Sequence, residues 1–235
     1  MHKLAIFVEG LTEQVFAEEF LVEIAGRKHL AIEKRLAHGG AKHNRRLTQI
    51  SFAAPERACT HYVLIVNCSA DNRVKSDIRD QYHGLIRAGY NAIVGILDVY
   101  PNPRESIPRL RSGLKYGLKT NPVEVCFIFG VMEMETWFIS EHTHFEKLDK
   151  GLTLDLIRTK LGFDPSSDDI QRRDHPAQDL HEIYHLVGLA YKKTKNHLNR
   201  TVGLLAYEKV YFELPERIPD LRSLVDSIDA FLSLS

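Results

Sequence analysis

A largely parallel α/β sheet flanked by helices, followed by a mainly helical carboxyl-terminal portion, is the fold class that this sequence predicts. Three observations lead there. Leu4–Val8, Tyr62–Val66 and Ala92–Leu97 are short apolar runs of the kind that form strands buried on both faces. Segments with helical spacing of apolar residues follow the first two, and a strand–helix–strand repeat implies parallel pairing through right-handed crossovers. From about Thr153 onward the apolar positions recur with a helical period alone.

The elements follow in order. Leu4–Val8 is the first strand, and Glu9-Gly10 makes the turn out of it, with Thr12 as the expected N-cap and Glu13 in the first helical turn, where the helix dipole favours a negative charge. Val15, Phe16, Phe20, Leu21 and Ile24 give the first helix its apolar stripe, and Gly26 ends it. Leu30–Leu36 alternates weakly, which predicts an edge strand. Gly39-Gly40 then opens a loop carrying the dense basic stretch Lys42, His43, Arg45 and Arg46, which reads as a solvated loop or a phosphate contact. The strand at Tyr62–Val66 runs into Asn67-Cys68-Ser69-Ala70-Asp71-Asn72. Its helix carries Val74, Ile78, Tyr82, Leu85 and Ile86 on one face and closes at Gly89. Ala92–Leu97 ends on Asp98, Ile107–Leu118 reads as a helix, and Val123–Phe129 reads as a fourth core strand that delivers Met132-Glu133-Met134-Glu135-Thr136-Trp137-Phe138. Helices are expected near Thr153–Leu161, Ala177–Ala190, Leu198–Glu208 and Leu221–Leu232, with a mobile polar loop between Asp164 and Pro176. The division expected is a core over residues 1–140 and a helical portion over 141–235 packed on it.

At 235 residues and 44% hydrophobic, the chain can bury a full core. Lys plus Arg equals Asp plus Glu at 31 each, so the overall field does not attract nucleic acid, and a polyanion has to be held by a local basic patch or a bound cation. Cys59, Cys68 and Cys126 show no paired spacing and read as small buried hydrophobes in a reducing cytoplasm. No export is expected from the opening residues, which enter a strand almost at once. No apolar stretch reaches the roughly 20 residues a bilayer requires, since Val123–Ile139 is broken by Glu124, Glu133 and Glu135.

The residues that carry chemistry gather at strand ends. Parallel strands put their carboxyl ends on one sheet edge, where α/β proteins bind ligands. Glu9, Glu13, Asp71, Asp98, Glu133 and Glu135 would form an oxygen-rich set there, the donor type preferred by hard divalent cations such as Mg²⁺ or Mn²⁺. Such ions cleave phosphodiesters with few other protein groups.

The Val8-Glu9-Gly10-Leu11-Thr12-Glu13 opening, with later strands ending in acidic residues, resembles the TOPRIM domain of topoisomerases, primases and OLD-type nucleases. It is most similar to small bacterial TOPRIM-like families related to the OLD nucleases. Met132-Glu133-Met134-Glu135-Thr136-Trp137, Pro176-Ala177-Gln178-Asp179-Leu180 and Tyr191-Lys192-Lys193 extend the likeness over most of the chain. The resemblance implies a metal-dependent nuclease of DNA or RNA, acting in phage defence or DNA repair, with a partner protein as a further expectation. Glu9 and Glu13 would be metal ligands, Asp98 would close the ion site, and Lys192 or Lys193 would steady the cleaved phosphate. Lys42, Arg45 and Arg46 would add backbone contacts. The family's Asp-x-Asp is replaced by Asn67-Cys68-Ser69 in one place and Asp98-Val99-Tyr100 in the other, a loss that would weaken a second ion site, change the chemistry or mark a domain that binds without cutting.

A rival motif lies downstream. His181-Glu182-Ile183-Tyr184-His185 is a literal His-Glu-x-x-His, which on a helix turns two imidazoles to one face as in zinc peptidases, with Glu208 or Glu213 available as third ligand. The simpler reading is a helix surface with two ordinary histidines. Trp137 and Phe138 read as core aromatics rather than base-stacking platforms, and no glycine-rich phosphate loop or serine nucleophile setting is present.

Overall fold

In the computed structural model, which describes residues 1–26, 30–40, 43–55, 59–70 and 72–234, six strands form one mixed sheet. They are β1 (His2–Val8), β2 (Leu30–Gly40), β3 (His43–Ala53), β4 (His61–Asn67), β5 (Ala92–Asp98) and β6 (Val125–Gly130). Their order across the sheet is β3-β2-β4-β1-β5-β6. β1 is parallel to both neighbours, with Ile6 opposite Ile65 of β4 and Val94 of β5, and β2 is parallel to β4. The α/β class with a mostly parallel sheet is therefore the one observed.

The apolar runs dictate the centre. Leu4 through Val8 have no solvent exposure, nor do Val63, Ile65 and Val66 beside them. Helix α1 (Leu11–Ala25) follows β1 and α2 (Val74–Arg87) follows β4. From β1 the chain passes over β4 to reach β2, and from β4 it passes over β1 to reach β5. Two right-handed crossovers running in opposite directions put α1 and α2 on opposite faces. The neighbouring carboxyl ends of β1 and β4 are thus a topological switch point, where such sheets open a crevice. Gly95 of β5 is required by packing, because a Cβ there would lie 2.8 Å from the Phe127 ring and 3.0 Å from Val74.

Three expectations are corrected in this region. Gly10, not Thr12, is the N-cap of α1; Thr12 lies inside the helix and is buried, while Glu13 reaches back to accept the Gly10 N–H at 2.8 Å. β2 is not an edge strand, since β3 pairs antiparallel outside it. Of the basic stretch expected in a loop, His43, Arg45 and Arg46 lie in β3, and Gly39-Gly40 are the last two residues of β2.

The chain divides into two compact units. One comprises Met1–Leu97, Ile107–Ile128 and Ser223–Ser235; the other comprises Asp98–Ser106 and Phe129–Arg222. The first holds most of the sheet with α1, α2 and α3 (Ile107–Lys115). The second is mainly helical: α4 (Glu135–Ser140), α5 (His144–Leu148), α6 (Leu154–Leu161), α7 (Pro176–His185), α8 (Lys195–Val202) and α9 (Tyr207–Phe212), after which α10 (Pro219–Leu232) begins. Its local signals are ordinary ones. Thr153 caps α6 by accepting the Leu156 N–H, and Gly162 ends it in the left-handed conformation. The polar stretch Asp164–Pro176 is not an open loop. Asp164 accepts from Ser166 and Arg158, Asp169 caps a short 3-10 turn at Ile170–Arg172, and Arg173 forks onto Asp179 at 2.5 and 2.7 Å. No described helix is long and apolar enough to cross a membrane.

Candidate metal centre

In the second unit, Asp98, Glu133 and Glu135 bring one carboxylate oxygen each to within 4.8 Å of one another, the one such group of three or more potential ligands among the described residues. The local backbone explains the convergence. β5 ends on Asp98, and the turn after β6 is pinned beside it: Val99 N–H donates to Gly130 O at 3.1 Å and Tyr100 N–H to Met132 O at 2.8 Å. Met132 holds a left-handed φ of 59°, unusual for a residue with a side chain, and this sharp turn starts α4 at once. Glu133 and Glu135 are therefore presented from the turn and from the first residue of the helix.

Each carboxylate is anchored through one oxygen. Asp98 Oδ1 accepts the Met134 N–H at 2.9 Å, Glu133 Oε2 accepts the Ala177 N–H at 2.9 Å, and Glu135 Oε1 accepts the Tyr191 hydroxyl at 2.6 Å. The Ala177 amide is in the first turn of α7, where the dipole also favours a negative charge. Gly130 completes the cradle, because a Cβ at that position would lie 2.7 Å from both Asp98 Oδ1 and the Met134 nitrogen. The second oxygens turn toward the ammonium of Lys193, which is 3.0 Å from Glu133 Oε1, 3.4 Å from Glu135 Oε2 and 4.0 Å from Asp98 Oδ2.

The charges respond to this arrangement. Burial raises the Glu135 pKa above the ordinary carboxylate value, and Glu133 adds to the shift against the opposing pull of Lys193 and the Tyr191 hydroxyl. Burial works against the Lys193 ammonium, but Glu135, Asp98 and Glu133 together overcome it and raise its pKa. Glu135 Oε2 is buried with no hydrogen-bond donor. A set of hard oxygens, each oriented by a hydrogen bond and one of them left without a donor, is chemically suited to a hard cation.

The other sequence-predicted residues are placed as follows. Glu9 and Glu13 are buried in the first unit, Glu9 directly after β1 at the switch point and Glu13 in the first turn of α1. Lys42 and Asp71 lie outside the described residues. Arg45 forks onto the buried Asp77 at 2.8 and 2.6 Å and also donates to the Gly39 and Cys68 carbonyls, so its charge is committed within the first unit. Arg46 is exposed on β3, and Lys192 is exposed, so Lys193 is the member of the pair that reaches the carboxylates. Trp137 and Phe138 are buried. His181 Nδ1 lies 3.0 Å from the Tyr191 carbonyl, and no third ligand joins His181 and His185 among the described residues.

Sequence reasoning missed Gly130, Met134 and Tyr191 as parts of the site. Tyr191 stands in the Tyr191-Lys192-Lys193 motif, which was the available signal; the other two act through backbone geometry that residue identity does not announce. Comparisons with known proteins returned no match to a family model, to a characterised protein or to a solved structure.

Proposed function

We propose that the Asp98–Glu133–Glu135 cluster holds Mg²⁺ or Mn²⁺ and that the protein is a metal-dependent phosphodiesterase of nucleic acid, DNA or RNA. The observation that carries this reading is a trio of close carboxylates, each oriented by a hydrogen bond to one oxygen, in which the buried Glu135 Oε2 receives no hydrogen bond. Structural carboxylates are usually satisfied on both sides, whereas metal ligands need this orientation. The ion would polarise a phosphoryl oxygen and a water. Asp98, Glu133 and Glu135 would hold it, Tyr191 and the two backbone amides would keep their orientation, and the lysine would meet phosphate charge. The exposed cations of Lys192 and Lys195 flank Lys193 in sequence, the kind of local patch a polyanion requires on a chain of zero formal net charge.

A second reading is a non-catalytic module that binds nucleic acid or a partner protein. The ammonium of Lys193 among the three carboxylates favours it, since part of their charge is already balanced. Calorimetric titration with Mn²⁺ and Mg²⁺, followed by cleavage assays on single- and double-stranded DNA and RNA, separates the two. Saturable binding with cleavage, both lost in Asp98→Asn, supports the phosphodiesterase. Ion binding without cleavage of any substrate leaves the binding module, and no ion binding at all overturns the metal site.

A further inference from the structure

The three converging oxygens already surround a cation, and that cation is part of the chain. Lys193 Nζ donates a hydrogen bond to Glu133 Oε1, faces Glu135 Oε2 and reaches the Asp98 carboxylate. The carboxylates are 12, 14 and 0% exposed for Asp98, Glu133 and Glu135, and the Lys193 side chain is 43% exposed, so the lysine is the solvent-side member of the group.

We infer that Lys193 is a tethered counter-ion which a divalent ion must displace, so that filling the site releases the ammonium toward solvent, where it can meet a phosphate oxygen. The inference rests on the metal-site reading above and concerns how that site is filled.

A divalent ion bonded to these oxygens would lie about 2.1–2.4 Å from each. An ammonium 3.0–4.0 Å from the same oxygens would then sit inside the ion's remaining coordination shell, facing a like charge. The protein side of the cluster is closed by the buried Glu135 and its Tyr191 partner, so the ion enters from the lysine's side. The exchange is feasible because a lysine carries a compact charge on a four-carbon stem with freely rotating bonds. Self-repulsion in the empty site is thereby reduced, and Glu135 Oε2, which receives no hydrogen bond, is the oxygen that gains most when the ion arrives. The arrangement links two events: the group that binds phosphate is held back until the ion that activates phosphate is in place.

The test compares Mn²⁺ affinity, by calorimetry, in the wild type, Lys193→Met and Lys150→Met, the last removing one exposed charge elsewhere in the same unit. Lys193→Met should bind Mn²⁺ about tenfold more tightly, since no ammonium has to leave. Lys150→Met should remain within about twofold of wild type, as expected for a screened surface charge. Equal or weaker binding in Lys193→Met, with the wild type still binding, overturns the counter-ion role and leaves the metal site standing. Absence of binding in both overturns the metal site itself. A second measurement needs no variant: amine acetylation of wild-type protein, read by mass spectrometry, should label Lys193 faster when Mn²⁺ is present while Lys150 is unchanged. Equal or slower labelling of Lys193 with bound Mn²⁺ overturns the exchange.

Discussion

Helix α4 begins on one buried glutamate and is capped by another, and the two behave oppositely. Glu135 is 0% exposed and Glu141 is 1% exposed. Burial alone would raise both pKa values, and at Glu135 it does. At Glu141 burial again pushes upward, but His144, the Thr143 hydroxyl and the Ala206 amide overcome it and hold the carboxyl below its ordinary value. The difference is one of donors. Glu141 Oε1 accepts from the Thr143 hydroxyl and from Thr143 N–H at 3.2 Å, and its Oε2 accepts from Ala206 N–H at 3.1 Å with His144 Nδ1 at 3.4 Å. Glu135 Oε1 accepts the Tyr191 hydroxyl, whereas its Oε2 receives no hydrogen bond and faces the lysine. A carboxylate served on both sides is a structural joint, whereas one served on a single side and aimed with two others at a common point is poised to bind.

The largest effect expected from this contrast is at the structural end. Glu141→Ala would leave the Thr143 and Ala206 amides and the Thr143 hydroxyl, all part-buried, without their acceptor, at about 1 kcal/mol each, so a loss of roughly 3 kcal/mol in urea denaturation is expected. A loss under about 1 kcal/mol would mean that these donors find other partners and that the contrast is false. Next comes Gly130→Ala. Its methyl group would collide with Asp98 Oδ1 and the Met134 nitrogen at 2.7 Å, costing about 1–3 kcal/mol as overpacking and weakening Mn²⁺ binding about tenfold or more through the misplaced Asp98. Wild-type affinity in that variant would show that Asp98 is not held by this cradle. Smaller again is the stability effect of Glu135→Gln. The amide keeps the shape and relieves like-charge repulsion, so without metal the variant should melt within about 1 kcal/mol of wild type or above it, while Mn²⁺ binding disappears. A large destabilisation would make Glu135 a structural joint like Glu141.

The fold was legible where burial alone decides it. Leu4–Val8, Tyr62–Val66 and Ala92–Leu97 could only be central strands, and they are β1, β4 and β5. β3 escaped notice because an edge strand is under no demand for apolar residues on both faces: Arg46, Thr48 and Gln49 are exposed, and the basic start resembles a loop. The site was legible as chemistry and not as geometry. Glu133, Glu135, Asp98 and the Tyr191-Lys192-Lys193 segment could be singled out by type. What joins them is a set of backbone amides at Met134 and Ala177, a missing Cβ at Gly130 and a left-handed Met132, none of which has a compositional signature. The choice between Lys192 and Lys193 likewise depends on the direction in which the chain leaves Tyr191.

The smallest expected effect is also the most diagnostic, because its sign differs between the two glutamates. Glu135 has a folded pKa above its ordinary value near 4.5, so the native state holds a proton at pH values where the unfolded chain has lost it. Its contribution to stability is fully present below about pH 4.5 and is lost as pH rises through the folded value. Glu141 has a folded pKa below 4.5, so its contribution is present above that pH and is lost as pH falls through the lowered value. Urea midpoints of metal-free wild type, Glu135→Gln and Glu141→Gln, taken between about pH 3 and pH 8, isolate each carboxyl by difference. Relative to Glu135→Gln, the wild type should lose stability as pH climbs from 4.5 toward neutrality. Relative to Glu141→Gln, it should lose stability as pH drops below 4.5. Two difference curves of the same sign would mean that the ends of α4 hold equivalent carboxylates, and the argument from unequal donors to a metal ligand would fail with them.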